Sequence, residues 1–186
     1  MPNNIINATS TGSGGLITTA ADSSSLEIQS NGTTIMTIGS TGVTTQVGAP
    51  AFSAYASSSQ NFSIGVWTKV LFQTEEFDTN NNFASSTFTP TVAGYYQINT
   101  TIAFGANSTS GEAVALYKNG TINKIGTYAL NGNVGNRISS NFLVYCNGST
   151  DYIEIYAVNN TAANPLASQA SGATDTFVQG FMARSA

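Results

Sequence analysis

The chain has 186 residues, of which 41% are hydrophobic and 10% aromatic, enough for one packed domain and a smaller appendage. Only 8% of the residues are charged, compared with about 25% in a usual soluble domain, and His is absent. Five basic residues and a net charge of −4 argue against nucleic-acid binding, and the lack of His removes the usual general base and the commonest metal ligand.

The first predicted element is an arm at residues 1–49, which contain no aromatic residue. Apolar clusters on both sides of Ser30-Asn31-Gly32-Thr33 predict a β-hairpin, because Asn and Gly tolerate positive φ. A second turn at Gly39-Ser40-Thr41-Gly42 precedes a further short apolar stretch. A hairpin with one apolar row is marginal in water, so we expect it to dock on a partner. The docking residues we predict are Leu26, Ile28, Ile35, Met36, Ile38, Val43 and Val47.

Gly48-Ala49-Pro50 is the predicted junction to a second domain at residues 50–186. Strand signals recur there at the spacing of a β-sandwich, including Trp67–Phe72, Gly94–Phe104 and Tyr152–Val158. In the longest of them Tyr96, Ile98, Thr100, Ile102 and Phe104 alternate with polar residues. Turns are predicted at Lys118–Thr121 and Asn131–Asn133. Long antiparallel strands without intervening helices indicate a sandwich or a barrel.

Several of these segments are similar to one known family. Phe88-Thr89-Pro90-Thr91-Val92-Ala93-Gly94-Tyr95-Tyr96 resembles the central signature of the complement C1q/TNF-like family, Leu116-Tyr117-Lys118-Asn119-Gly120 its strand ending in Lys-Asn-Gly, and Phe177–Met182 its closing strand. The resemblance covers residues 51–183. It implies an all-β, ten-stranded antiparallel jelly-roll sandwich that forms homotrimers around an apolar axis. We expect these residues in the core or on that axis: Phe52, Tyr96, Ile98, Ile102, Phe104, Leu116, Phe177 and Phe181.

Residues 13–38 resemble segments of tailed-bacteriophage virion proteins, especially fibre and decoration proteins. Together the two resemblances imply a homotrimeric capsid decoration (cement) protein whose arm docks on the major capsid protein or other virion subunits. The first residues lack a basic start and an apolar run, so we expect synthesis in the host cytoplasm and a final location in the virion. The rival interpretation is a short tail fibre or receptor-binding knob that recognises a host surface glycan or protein.

The only acidic cluster comprises Glu75, Glu76 and Asp78, which could hold Ca²⁺ with help from carbonyl oxygens. A solvated loop is the preferred interpretation, and we predict no metal and no cofactor. The other acidic residues are scattered over different strands, which argues against paired-carboxylate sugar hydrolysis, so we expect no enzyme. No segment approaches the roughly 18 apolar residues of a membrane span.

Overall fold

A computed structural model of the chain describes residues 25–46, 48–105, 111–130, 137–160, 167–168 and 173–186. Regular structure in these residues is entirely β-strand. The strands are β1 (Leu26–Ser30), β2 (Thr33–Ile38), β3 (Thr44–Gln46), β4 (Ala51–Tyr55), β5 (Gln60–Asn61), β6 (Thr68–Lys69), β7 (Thr74–Asp78), β8 (Phe83–Ala84), β9 (Thr87–Phe88), β10 (Gly94–Ala103), β11 (Glu112–Lys118), β12 (Thr121–Ala129), β13 (Arg137–Cys146), β14 (Ile153–Asn159), β15 (Ala167–Ser168) and β16 (Phe177–Ser185). Contacts divide the chain into two units, Met1–Val47 and Gly48–Ala186, called below the arm and the head.

The arm contains a three-stranded antiparallel sheet in the order β1-β2-β3. The predicted hairpin is confirmed: Asn31 and Gly32 have φ values of 50° and 77°, as the turn between β1 and β2 requires. Pairing of Leu26 with Ile38 and of Ile28 with Met36 places four apolar side chains on one face. All four are exposed or half-buried, so among residues 25–46 no second layer covers this face.

The head is a sandwich of two antiparallel sheets. Sheet A is five-stranded, in the order β13-β10-β16-β4-β7, and sheet B is six-stranded, in the order β12-β11-β14-β9-β8 with β6 beside β14. The predicted jelly-roll architecture is confirmed. The two sheets hold eleven strands where ten were predicted, because short pairs such as β8 and β9 contribute two residues each.

Side chains from both sheets form one core. Tyr96 and Ile98 are completely buried, which confirms the alternation predicted along β10. The ring of Phe52 on sheet A stacks on Phe88 of sheet B at 4.4 Å between centroids, and Tyr96 meets Phe88 edge-on at 5.3 Å. Burial raises the pKa of Tyr96 to about 12, so its hydroxyl stays protonated and donates to the carbonyl of Val92 at 2.6 Å.

The predicted strand Trp67–Phe72 is reduced to Thr68–Lys69. Side chains instead form hydrogen bonds with several backbone N–H and C=O groups that a longer strand would have paired. The Gln60 amide donates to the carbonyl of Lys69 and accepts from the N–H of Leu71, and Ser86 Oγ accepts from the N–H of Phe72. The turn predicted at Asn131–Asn133 lies outside the described residues.

Strand β13 forms one edge of sheet A, and side chains of sheet B cover its outward carbonyls. Lys118 Nζ donates to the carbonyl of Tyr145 at 2.8 Å, and Thr127 Oγ1 donates to that of Ser139 at 2.6 Å. Lys124 Nζ donates to the carbonyl of Leu143. These bonds tie the two sheets together along one side of the sandwich.

Candidate assembly interface

The outer face of sheet A carries large apolar side chains in contact with water. We call this surface, defined by Phe77, Tyr95, Leu143, Tyr145 and Phe181, the assembly face. Each of the five is 41–52% exposed. They are exposed because their strand neighbours fill the core: in β13, for example, buried Phe142 and Val144 alternate with Leu143 and Tyr145.

Strand register arranges these side chains in rows across the sheet. Tyr95 and Tyr145 are paired residues, with ring centroids 5.4 Å apart. Gln97 is paired with Leu143 on one side and with Phe181 on the other, so two apolar side chains flank one amide. Tyr95, Tyr145 and Leu143 therefore lie next to one another on β10 and β13, and Gln97 separates them from Phe181 on β16.

A row of uncharged polar residues crosses the middle of the face. Asn99 is paired with Asn141 and with Gln179, and Gln97 Nε2 donates to Asn99 Oδ1 at 3.1 Å. A shallow groove lies beside this row, lined by Phe77, Asn99, Gln179 and Phe181 among others. On β13, β10 and β16 the two central rows have amide side chains between the apolar groups. Charged groups lie around them: the Glu76 carboxylate accepts from Ser53 at the far end of the Asn99 row, and Arg184 is paired with Tyr95.

A second apolar surface lies along β12, at the edge of sheet B. Ile122, Ile125 and Tyr128 are 45%, 60% and 54% exposed, and Leu130, just after the strand, is 74% exposed. We call these four residues the β12 edge. The β12 edge and the assembly face are thus different exposed apolar surfaces of the head.

The structure separates the residues that the sequence grouped as core or trimer axis. Six of them lie in the core and cannot reach another subunit: Phe52, Tyr96, Ile98, Ile102, Phe104 and Leu116. Phe177 is half-buried and Phe181 is 48% exposed on the assembly face. Sequence reasoning did not single out Phe77, Tyr95, Leu143 and Tyr145 for this face. For the last two, the alternation with Phe142 and Val144 could have indicated it.

The predicted docking residues of the arm lie at different places on its sheet. Leu26, Ile28, Met36 and Ile38 share one face. Ile35 and Val43 are 45% and 63% exposed, and Val47 lies outside the described residues. Their docking role stays a prediction.

The acidic cluster lies on strand β7 and not in the predicted solvated loop, and its carboxylates do not converge on a cation site. The Asp78 carboxylate accepts the N–H groups of Asn80 and Phe83, and Glu76 accepts from Ser53 Oγ at 2.6 Å. Glu75 is exposed on the same strand. Within the described ranges no three Asp, Glu, His or Cys side chains are grouped closely enough to hold a metal ion.

A polar clasp joins two turns at one end of the sandwich. Lys118 Nζ lies 2.8 Å from Asp151 Oδ2, and Asn119 Nδ2 donates to Asp151 Oδ1 at 2.8 Å. The hydrogen bond from Lys118, followed by that from Asn119, lowers the pKa of Asp151 below its usual range. Nearby, burial raises the pKa of the Cys146 thiol to about 11, which makes it an inert core group.

Comparison with known proteins agrees with the jelly-roll architecture of the head. No protein-family model and no curated protein sequence matches the chain. Among solved structures, the globular domain of zebrafish complement 1qA protein has a TM-score of 0.56 and 16% identity over 74% of this chain and 99% of its own. The chain has a C1q/TNF-like fold.

Two further structures agree with that assignment. Murine APRIL at pH 8.5 has a TM-score of 0.53 and 12% identity, covering 73% of this chain and 99% of its own. Eiger TNF from S. frugiperda has a TM-score of 0.50 and 13% identity, covering 74% of this chain and 93% of its own. At these identities the similarity establishes the fold. No helix long and apolar enough to cross a membrane occurs in the part of the chain that the structure describes.

Proposed function

We propose that this protein is a non-enzymatic structural protein that assembles as a homotrimer through its head and decorates a phage capsid. The observation that carries the proposal is the assembly face, where five large apolar side chains are 41–52% exposed. Contiguous apolar patches of this kind mark protein interfaces. Aromatic residues are also enriched in interfaces, and charged residues are depleted from their cores.

The presence of two unlike apolar surfaces favours a ring. A contact between the assembly face of one subunit and the β12 edge of the next joins different patches, so it is heterologous. Heterologous contacts close into a ring when the rotation between subunits is a simple fraction of a turn. A threefold ring agrees with the trimer that the C1q/TNF resemblance implies.

The virion role is supported by the arm and by the composition. The apolar face of the arm sheet contains Leu26, Ile28, Met36 and Ile38, and a sheet this small needs a partner to cover such a face. We place the major capsid protein or another shell subunit against it. The resemblance of residues 13–38 to phage virion segments supports this partner.

Charge substitutions test the trimer. Leu143→Lys on the assembly face and Ile125→Lys on the β12 edge should each give monomers in size-exclusion chromatography with light scattering, because each buries an ammonium group in an apolar contact. The control is Leu71→Lys, since Leu71 is 41% exposed and belongs to neither surface.

Mixing the two variants sharpens the test. Leu143→Lys subunits keep an unaltered β12 edge, and Ile125→Lys subunits keep an unaltered assembly face. One contact can therefore form between the two variants, so an equimolar mixture should form dimers and no closed ring. A monomeric wild-type protein, or a Leu143→Lys variant that remains trimeric, would overturn the proposed assembly.

Capsid docking is tested on the full chain. Ile28→Asp and Met36→Asp should abolish co-sedimentation with capsids of the source virus while the head remains trimeric. Thr37→Asp is the matched control, because Thr37 is paired with Glu27 on the opposite face of the arm sheet. Capsid binding at the wild-type level by both apolar-face variants would refute docking through this face.

A further inference from the structure

A cluster of three aromatic side chains lies on the outer face of sheet B. The rings of Tyr117 and Tyr156 are stacked, with centroids 3.8 Å apart and planes 19° apart. The indole of Trp67 lies 6.5 Å from the Tyr117 ring, with the planes at 56°. All three side chains are half-buried, so part of each remains in contact with water.

Strand alternation explains this placement. On β14, Ile153, Ile155 and Ala157 point into the core, so Glu154 and Tyr156 point outward. Tyr117 on β11 is paired with Glu154, and Lys69 on β6 is paired with Tyr156. The pairing therefore brings two charged side chains next to the two stacked tyrosines.

These charged side chains form a polar triad with Thr87. Lys69 Nζ lies 2.7 Å from Glu154 Oε1 and donates to Thr87 Oγ1 at 2.6 Å, while Thr87 Oγ1 donates to Glu154 Oε1 at 3.1 Å. The Lys69 and Glu154 side chains are 25% and 12% exposed. The triad is thus fixed in position, yet open to water on one side.

We propose that Trp67, Tyr117 and Tyr156, with Lys69, Glu154 and Thr87, form a binding site for a neutral saccharide. A pyranose ring has an apolar C–H face that packs on aromatic rings and a rim of hydroxyls that both donate and accept hydrogen bonds. The carboxylate of Glu154 accepts such bonds, and the ammonium group of Lys69 donates them.

The charge of the protein selects the class of sugar. The net charge is −4, which repels polyanionic glycans and leaves neutral ones unaffected. Burial raises the pKa of Tyr156, and the nearby Glu154 carboxylate adds to the effect, so the phenol keeps its proton as a donor. The site lies on the outer face of sheet B, next to the β12 edge, because Tyr117 is paired with Ile122.

Trp67 is the only tryptophan of the chain, so its fluorescence reports on this site alone. The full-length wild-type protein is first screened on an array of neutral and acidic bacterial surface polysaccharides. Fragments of each polysaccharide that binds are then titrated against the protein. We expect binding of a neutral polysaccharide with a change in Trp67 emission and reduced acrylamide quenching.

Three variants assign the binding to the cluster. Tyr117→Ala and Trp67→Ala should each weaken binding at least fivefold, and Glu154→Gln should weaken it severalfold through the lost charge-assisted bonds. Tyr55→Ala is the matched control, because Tyr55 is a half-buried tyrosine at the end of β4 that lies outside the cluster and outside both apolar surfaces. The decrease in acrylamide quenching of Trp67 is measured on the wild-type protein. The test therefore stands even if the Tyr117→Ala protein fails to fold.

Two results would overturn the proposal. One is the absence of binding to every neutral polysaccharide on the array. The other is binding that leaves Trp67 emission and quenching unchanged. Neither outcome affects the proposed trimer, which is measured by light scattering without any sugar.

Discussion

The arm and the head use similar strand patterns with different results. Both have antiparallel strands with apolar residues in register, but those of the head lie between two sheets, while residues 25–46 of the arm form a single sheet. In the head, Phe52 and Tyr96 are 1% and 0% exposed, whereas in the arm Leu26 and Ile28 remain 37% and 44% exposed. Register alone therefore creates an apolar face, and a second layer is needed to convert that face into a core.

The largest effect should come from the core of the head. Phe52→Ala removes a ring that stacks on both Phe83 and Phe88, with centroids 4.9 and 4.4 Å away. We expect the free energy of unfolding to fall by about 3–5 kcal/mol, from lost burial and the cavity left behind. Urea denaturation followed by fluorescence measures this. Phe52→Leu, which fills most of the space, should lose about 1 kcal/mol, and equal losses for the two variants would argue against a tightly packed centre.

Alanine substitutions at two glycines distinguish the cost of a steric clash from the cost of backbone strain. Gly148 and Gly32 both have positive φ, 72° and 77°, but an added Cβ at Gly148 would collide with the backbone of Ala93, whereas at Gly32 it meets nothing within 4 Å. Gly148→Ala should destabilise the head by more than about 2 kcal/mol, since backbone must move. Gly32→Ala carries only the left-handed strain of about 1–2 kcal/mol, confined to the arm. Thermal unfolding compares the two, and a head unaffected by Gly148→Ala would contradict the tight contact.

The stability of the head at low pH should be determined in part by Asp151. Its pKa is lowered in the folded state, so the clasp stabilises the head above the unfolded carboxyl pKa of about 3.9 and is lost as pH falls through the lower folded value. Asp151→Asn should cost about 1 kcal/mol at pH 7 and nothing at the lowest pH. Urea midpoints of the wild type and of Asp151→Asn, measured across the acid range, give the difference in stability at each pH. A difference that does not change with pH would contradict a contribution from the charged Asp151 clasp.

The smallest effect on the head should come from the arm. Ile28→Ser changes an exposed side chain in the other unit, so the free energy of unfolding of the head should stay within about 0.5 kcal/mol of the wild type. The urea midpoint of the head tests this. A larger shift would mean that the two units unfold together.

Much of the fold could be predicted because local signals agreed with the tertiary structure. The alternation from Tyr96 to Ile102 predicts strand β10 from a few residues. The Asn-Gly pairs at Asn31 and Asn119 predict the chain reversals in the same way. The short extent of the strand in Trp67–Phe72 could not be predicted, because the side chains of Gln60 and Ser86 bind backbone groups of Lys69, Leu71 and Phe72, and only the folded chain brings them near.

The candidate surfaces were harder to predict than the core. The alternation with Ile98 assigns Tyr96 to the core, but only the pairing of Tyr95 with Tyr145 on β13 shows that the neighbouring tyrosine belongs to an exposed apolar surface. The Trp67, Tyr117 and Tyr156 cluster combines three separate segments, whose proximity follows from the order β11-β14-β6 in sheet B.

The covered edge of β13 has a consequence for growth of the assembly. An open strand edge offers N–H and C=O groups to any extended segment, and repeated strand addition there leads to fibrils. Lys118, Lys124 and Thr127 already donate to three of the outward carbonyls of β13. In the proposed trimer, contacts through side-chain surfaces close on themselves, and the covered edge of β13 is protected from cross-β polymerisation.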